Sequence, residues 1–100
     1  MMYRRFLISV VIVTLFTGTA FALDGEGYLK DASVKPADAR AAALKAYRGK
    51  IISEELEKES GGSGLRYSFV ITRDGGKHEV GIDAKTGAVL ENSVEGKNAD

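Results

Sequence analysis

The stretch from Leu65 to Leu90, LRYSFVITRDGGKHEVGIDAKTGAVL, limits the possible folds more than any other part of the chain. Leu65, Tyr67, Phe69 and Ile71 occupy alternate positions. Successive side chains of a strand point to opposite faces, so these residues form one apolar row, with Arg66, Ser68 and Thr72 on the other face. Asp74-Gly75-Gly76 follows, and such residues tolerate the positive φ that the primed turns of a short hairpin require. His78, Val80 and Ile82 resume the alternation. Asp83-Ala84-Lys85-Thr86-Gly87 then predicts a second reversal, in which Asp83 accepts backbone N–H bonds and Gly87 closes the turn. Ala88, Val89 and Leu90 begin another strand. The pattern is that of two tight hairpins in succession.

The first residues predict an export signal. Arg4 and Arg5 precede an apolar run from Phe6 to Phe16, broken only by Ser9 and Thr14, and Ala20-Phe21-Ala22 places small residues where a signal peptidase needs them. Cleavage is expected between Ala22 and Leu23. The run is well short of the roughly 20 apolar residues that a bilayer core demands, so a membrane span is the weaker reading. With no cysteine in the chain, neither a lipid-modified Cys nor a disulfide can hold the product, which must rely on its core. From Leu23 onward about 78 residues remain, enough for one small domain. Loss of Arg4 and Arg5 leaves 12 basic against 14 acidic side chains, a formal charge of −2. No basic footprint for nucleic acid is present in that balance.

Leu23 to Ser33 is expected to be an extended lead-in, mixing Gly, Asp and Ser with few apolar anchors. Pro36 fits the first turn of a helix, where its missing N–H has no partner to lose. Ala37 to Tyr47 continues that helix, with Asp38 in the first turn and Lys45 and Arg48 near the end, as the helix dipole favours; Gly49 stops it. Ala39, Ala42, Ala43, Ala46 and Tyr47 share one face, and their small size implies close approach to a sheet beneath. The apolar gain must come from large residues across that interface, at ~25 cal/mol per Å2 buried. Lys50 to Glu59 is expected to be a strand with Ile52 and Leu56 facing one way, Glu54 between them, and Ser53, Glu55, Glu57 and Glu59 outward. Ser60 to Gly64 forms a flexible loop back to Leu65.

These features together resemble the PepSY domain family. The resemblance runs from Val34, through the helix start at Val34 to Ala39, to Tyr67-x-Phe69-x-Ile71, Asp74-Gly75 and Glu79-Val80-x-Ile82-Asp83-Ala84-x-Thr86-Gly87-x-Val89-Leu90. It implies an α+β domain in which one Ala-rich helix packs on an antiparallel sheet of three to four strands, helix first and meander after, here preceded by a signal peptide helix. On that reading the chain divides into a signal peptide (1–22), the lead-in (23–33), a PepSY-like domain (34–94) and a frayed tail (95–100). The resemblance also implies a role in inhibiting or controlling peptidases locally, and brings no catalytic residues with it.

The residues themselves offer no machinery for a reaction. His78 is the only histidine and falls in register with Val80 and Ile82, without a second His or a Cys at ligand spacing, so no metal site is expected. Glu54, Glu55, Glu57 and Glu59 could serve calcium or a basic partner, but no Asp-rich loop accompanies them and a solvated strand face explains them as well. Ser63 sits in linker chemistry rather than a nucleophile elbow. Asp74, Gly75, Asp83, Thr86 and Gly87 are taken as turn-forming residues. The expectation is an exported, periplasmic or secreted, non-catalytic module without cofactor, binding a protease or another envelope protein and, once its signal is removed, neither nucleic acid nor membrane. An exposed sheet edge could accept such a partner, with the charged Lys50 to Glu59 strand as a protected edge. The alternative is a periplasmic protein that binds a small ligand or metal ion on the sheet face or acidic strand.

Overall fold

A computed structural model describes residues 23–96 of the chain; the expected signal sequence, with Ala20 and Ala22, and residues 97–100 of the tail lie outside that range. A 3-10 helix at Glu26–Asp31 leads to α1 (Pro36–Ala46), followed by β1 (Lys50–Lys58), β2 (Leu65–Arg73), β3 (Gly76–Asp83) and β4 (Val89–Val94). The strands form one four-stranded sheet in the order β1-β2-β3-β4, every neighbouring pair antiparallel. The fold is α+β, one main helix against one face of a meander. β4 continues to Val94, beyond the Leu90 at which the hairpin pattern fades in the sequence.

Pro36 opens α1, Asp38 lies in its first turn and Lys45 in its last. Lys35 supplies no side-chain cap, and neither does Ser33. The backbone anchors the helix start instead: the N–H groups of Ser33 and Val34 both donate to the Ala84 carbonyl at 2.9 Å, and the Tyr67 hydroxyl donates to the Val34 carbonyl at 2.6 Å. From this fixed start the helix turns Ala39 and Ala43 fully into the interior. Beneath them lie Tyr67, Phe69 and Ile71 of β2 and Val80 and Ile82 of β3, all without measurable exposure. Phe69 stands opposite Val80 and Tyr67 opposite Ile82, so the apolar row is continuous across the two central strands.

Two expectations are corrected. The segment Leu23 to Ser33 is not extended. Gly25, at φ 88°, turns the chain into the 3-10 helix, and Leu23, Leu29 and Ala32 pack on the core. Ahead of that turn Asp24 pairs with the outer side of β1, its N–H donating to Glu54 at 3.2 Å and its carbonyl accepting from Leu56 at 2.8 Å. The second correction concerns Ile52, which is 37% exposed rather than inward. A bulge between Ile51 and Ser53 adds one unpaired residue, and because strand alternation has a period of two, the extra residue changes the phase. Ile51, Glu54 and Leu56 therefore face α1.

Glu54 is buried by this register, and Arg40 of α1 meets it with two hydrogen bonds, Nε to Oε1 at 2.8 Å and Nη2 to Oε2 at 3.3 Å. A carboxylate under a helix needs such a partner, since an uncompensated buried charge is costly. Arg40→Ala is expected to lower stability by about 1–3 kcal/mol, and Arg40→Ala with Glu54→Leu to recover most of that loss, both read from urea denaturation. Ala43→Phe places a ring where no space exists and is expected to cost about 1–3 kcal/mol by the same measurement.

Candidate functional site

The helix covers one face of the sheet; on the other face no helix packs among the described residues. The register assembles that open face in rows across the strands: Ser53, Val70, Glu79 and Ser93 in one, Glu55, Ser68, Gly81 and Glu91 in the next, with Glu57 opposite Arg66 beyond. Arg66, toward one end of this face, reaches across it, while Lys50, Thr72 and Lys77 form a row at the other end. The Arg66 Nη1 donates to Glu91 Oε1 at 3.3 Å and its Nη2 to the Ser60 carbonyl at 3.3 Å, while its buried Nε has no partner. Ser68 donates to Glu57 at 2.8 Å and Ser93 to Glu91 at 3.0 Å. Gly81 makes the arrangement possible: a Cβ there would lie 3.0 Å from Arg66 Cδ and 3.3 Å from Glu91 Cβ. The bare backbone leaves the lane along which Arg66 crosses β3 to reach Glu91 on β4.

The acidic residues of this face crowd one another. Burial raises the Glu79 carboxyl above its ordinary range, and the charges of Glu91, Glu57, Glu95 and Glu59 raise it further. Glu55 is raised for the same reasons, burial first, then Glu57, Asp24 and Glu79. Each shift marks a charge that the surroundings disfavour. Among the described residues no group of His, Cys, Asp or Glu is placed to hold a metal ion, and no helix is long and apolar enough to cross a membrane.

At one end of the sheet Asp83 is nearly inaccessible. Its Oδ1 accepts from the N–H groups of Lys85 (2.8 Å) and Thr86 (3.1 Å) and from the Ser63 hydroxyl (2.8 Å), and Oδ2 accepts from the Ser63 N–H at 2.6 Å. Gly87, at φ 83°, returns its N–H to the Asp83 carbonyl, and the Thr86 hydroxyl accepts from Ala88. Burial alone would raise the Asp83 pKa; the hydrogen bonds from Ser63, Lys85 and Thr86 outweigh it and bring the group down to about 2. At the opposite end Asp74 and Gly75 both take positive φ, 53° and 83°, in the two-residue turn between Arg73 and Gly76. His78 stacks on Tyr47 with ring centroids 3.8 Å apart and hydrogen-bonds Asn92, joining the end of α1 to β3 and β4. Leu23, at the expected cleavage point, is half-buried against the core. The turn residues and the open face are thus separate places; the sequence points to the sheet face and the acidic strand only as an alternative ligand surface, and not to Arg66 or Glu91. The local signal for the Arg66-Glu91 contact is Gly81, a glycine inside a strand, which marks a close approach.

Residues 34–92 match the family described as peptidase propeptide and YPEB domain, PepSY. The chain belongs to the PepSY family. The match begins at Val34, where the helix start is tied to Ala84, and ends within β4, so it takes in α1, β1 to β3 and the greater part of β4. PepSY domains are generally non-catalytic modules of the propeptide type. Comparison with curated proteins and with solved structures gives no match.

Asp83 yields a pH-dependent test. Its folded-state pKa of about 2 lies below the ~3.9 of an unfolded Asp, so it favours the fold at any pH above the unfolded value and loses that effect as pH falls toward 2. Asp83→Ala strands the Ser63, Lys85 and Thr86 donors and is expected to cost about 1–3 kcal/mol at pH 7. In urea titrations the gap between wild type and variant should hold constant above about pH 4 and close below it.

Proposed function

We propose that this PepSY protein is exported and works as a non-catalytic binding module that restrains a peptidase or engages another protein of the cell envelope. The observation that carries the reading is the family match over residues 34–92, which covers the helix and every strand rather than one motif. The N-terminal pattern of Arg4, Arg5, the apolar run and Ala20-Phe21-Ala22 supports export, with the mature chain beginning at Leu23. The open face supports binding rather than chemistry. Its groups are carboxylates, the Ser68 and Ser93 hydroxyls that donate to two of them, the Arg66 guanidinium and the lysines of the Lys50-Thr72-Lys77 row, a fixed pattern of charges and hydrogen-bonding groups spread over three strands and more.

Purified chain added to envelope peptidases in a fluorogenic peptide assay is expected to lower hydrolysis in a concentration-dependent, saturable way, or to bind an envelope protein in a reversible crosslinking and sedimentation assay. Neither effect, combined with a rise in melting temperature of several degrees upon adding a divalent cation or a small envelope metabolite, would replace the reading with that of a ligand-binding protein.

A further inference from the structure

The two edges of the sheet are treated differently. β1 is occupied on its outer side by Asp24, whose backbone bonds to Glu54 and Leu56 use the groups that another strand would need. β4 has no such cover among the described residues. The Glu95 N–H donates to the Lys77 carbonyl at 3.0 Å, which places Glu95, Ser93 and Glu91 in the hydrogen-bonded positions facing β3. By alternation, Asn92 and Val94 turn their backbone N–H and C=O groups outward. The strand VLENSV carries neither proline nor lysine, the common means of blunting an edge, and Val89 and Val94 are 49% and 59% exposed.

Beside this edge Glu59, Glu79, Glu91 and Glu95 gather on the open face, against Arg66 and the Lys77 that neighbours Glu95. Arg66 is engaged by Glu91, and among the described residues no salt bridge reaches Glu59, Glu79 or Glu95. A groove of about 460 Å3 runs between Glu59 and Glu79, with the Glu91-paired Arg66 in its wall and Leu90, Glu91 and Val94 of the edge strand itself on its border; Glu95 lies just outside it. We propose that the free edge of β4 accepts an extended polypeptide segment as a fifth strand, one with Lys or Arg at alternate positions whose side chains enter this groove. The proposal rests on the protein-binding reading above and specifies its surface and the chemistry of its partner.

The geometry favours this occupant over others. Residues of an added strand that fall on the open face stand beside Glu91, Ser93 and Glu95, two residues apart, which is the spacing at which alternate side chains of the incoming strand present themselves. Backbone pairing supplies affinity, and the alternate cations supply specificity. A second copy of this chain paired through its own β4 would instead bring the Glu91 and Glu95 rows against each other, and like charges across strands destabilise a pair. The upward shift of Glu79, from burial and from its acidic neighbours, agrees with a face that gains from an arriving cation.

The test uses the full chain and a fluorescein-labelled peptide of alternating lysine and valine, with an alternating glutamate and valine peptide as control, followed by anisotropy at low and high salt. The lysine peptide is expected to bind, to weaken as salt rises, and to lose about tenfold in affinity with Val94→Pro, which removes an outward N–H while leaving the bonds to β3 intact. Glu79→Gln with Glu95→Gln, a milder change that keeps the backbone, should weaken it several-fold. Absence of binding, equal binding of the glutamate peptide, or binding indifferent to both variants overturns the proposal. So does sedimentation of the chain as a dimer that Val94→Pro dissociates, since the edge would then belong to a second copy. If peptidase restraint or envelope-protein binding persists unchanged in Val94→Pro, the general reading stands and this surface is excluded.

Discussion

The structure depends on how closely a helix can lie on a sheet. Ala39 and Ala43 bring the axis of α1 down onto Tyr67, Phe69, Ile71, Val80 and Ile82, and both parties of that contact are fully excluded from water. Neither side suffices alone. An alanine face buries little area, and a short antiparallel meander with one apolar face is marginal without a cover. The small residues of the helix and the large ones of the sheet are therefore a single device, and among the described residues it leaves the other side of the sheet without a helix.

That division gives the two faces different electrostatics. On the covered side the one buried carboxylate, Glu54, is matched by Arg40 from above. On the free side carboxylates gather around Arg66, and the mismatch is held in place by backbone spacing rather than relieved by it. A sheet fixes its side chains at set intervals, so like charges cannot drift apart as they would on a mobile loop. The same rigidity gives the face a definite pattern of charge.

Much of this was readable in the sequence, and the parts that were not have identifiable causes. The apolar alternation from Leu65 to Ile82 and the Asp-Gly turn report local geometry, and the α+β fold with its meander follows from them. The bulge at Ile52 was hidden because both Ile51 and Ile52 suit an inward position; only pairing with Ile71 decides between them. The structure of the lead-in is not legible in its own propensity because it comes from Gly25 and from contacts with β1. Arg66 and Glu91 are 25 residues apart, and nothing nearby in the sequence of either announces the other. Only the register of β2, β3 and β4, with Gly81 between, puts them together.

The tie between Asp83 and Ser63 has a bearing on survival. The Ser60 to Gly64 connection is rich in glycine and lies at the surface, the sort of segment in which cutting enzymes find purchase, because they must draw several residues out into an extended form before cleaving. Here a carboxylate from a distant turn grips the main chain in the middle of that connection, through both a backbone and a hydroxyl hydrogen. Pulling the loop free would mean breaking those bonds and disturbing the Lys85 and Thr86 reversal as well, so local opening there is coupled to the β3-β4 turn. A glycine-rich connection is thereby made as hard to open as the turn to which it is fastened.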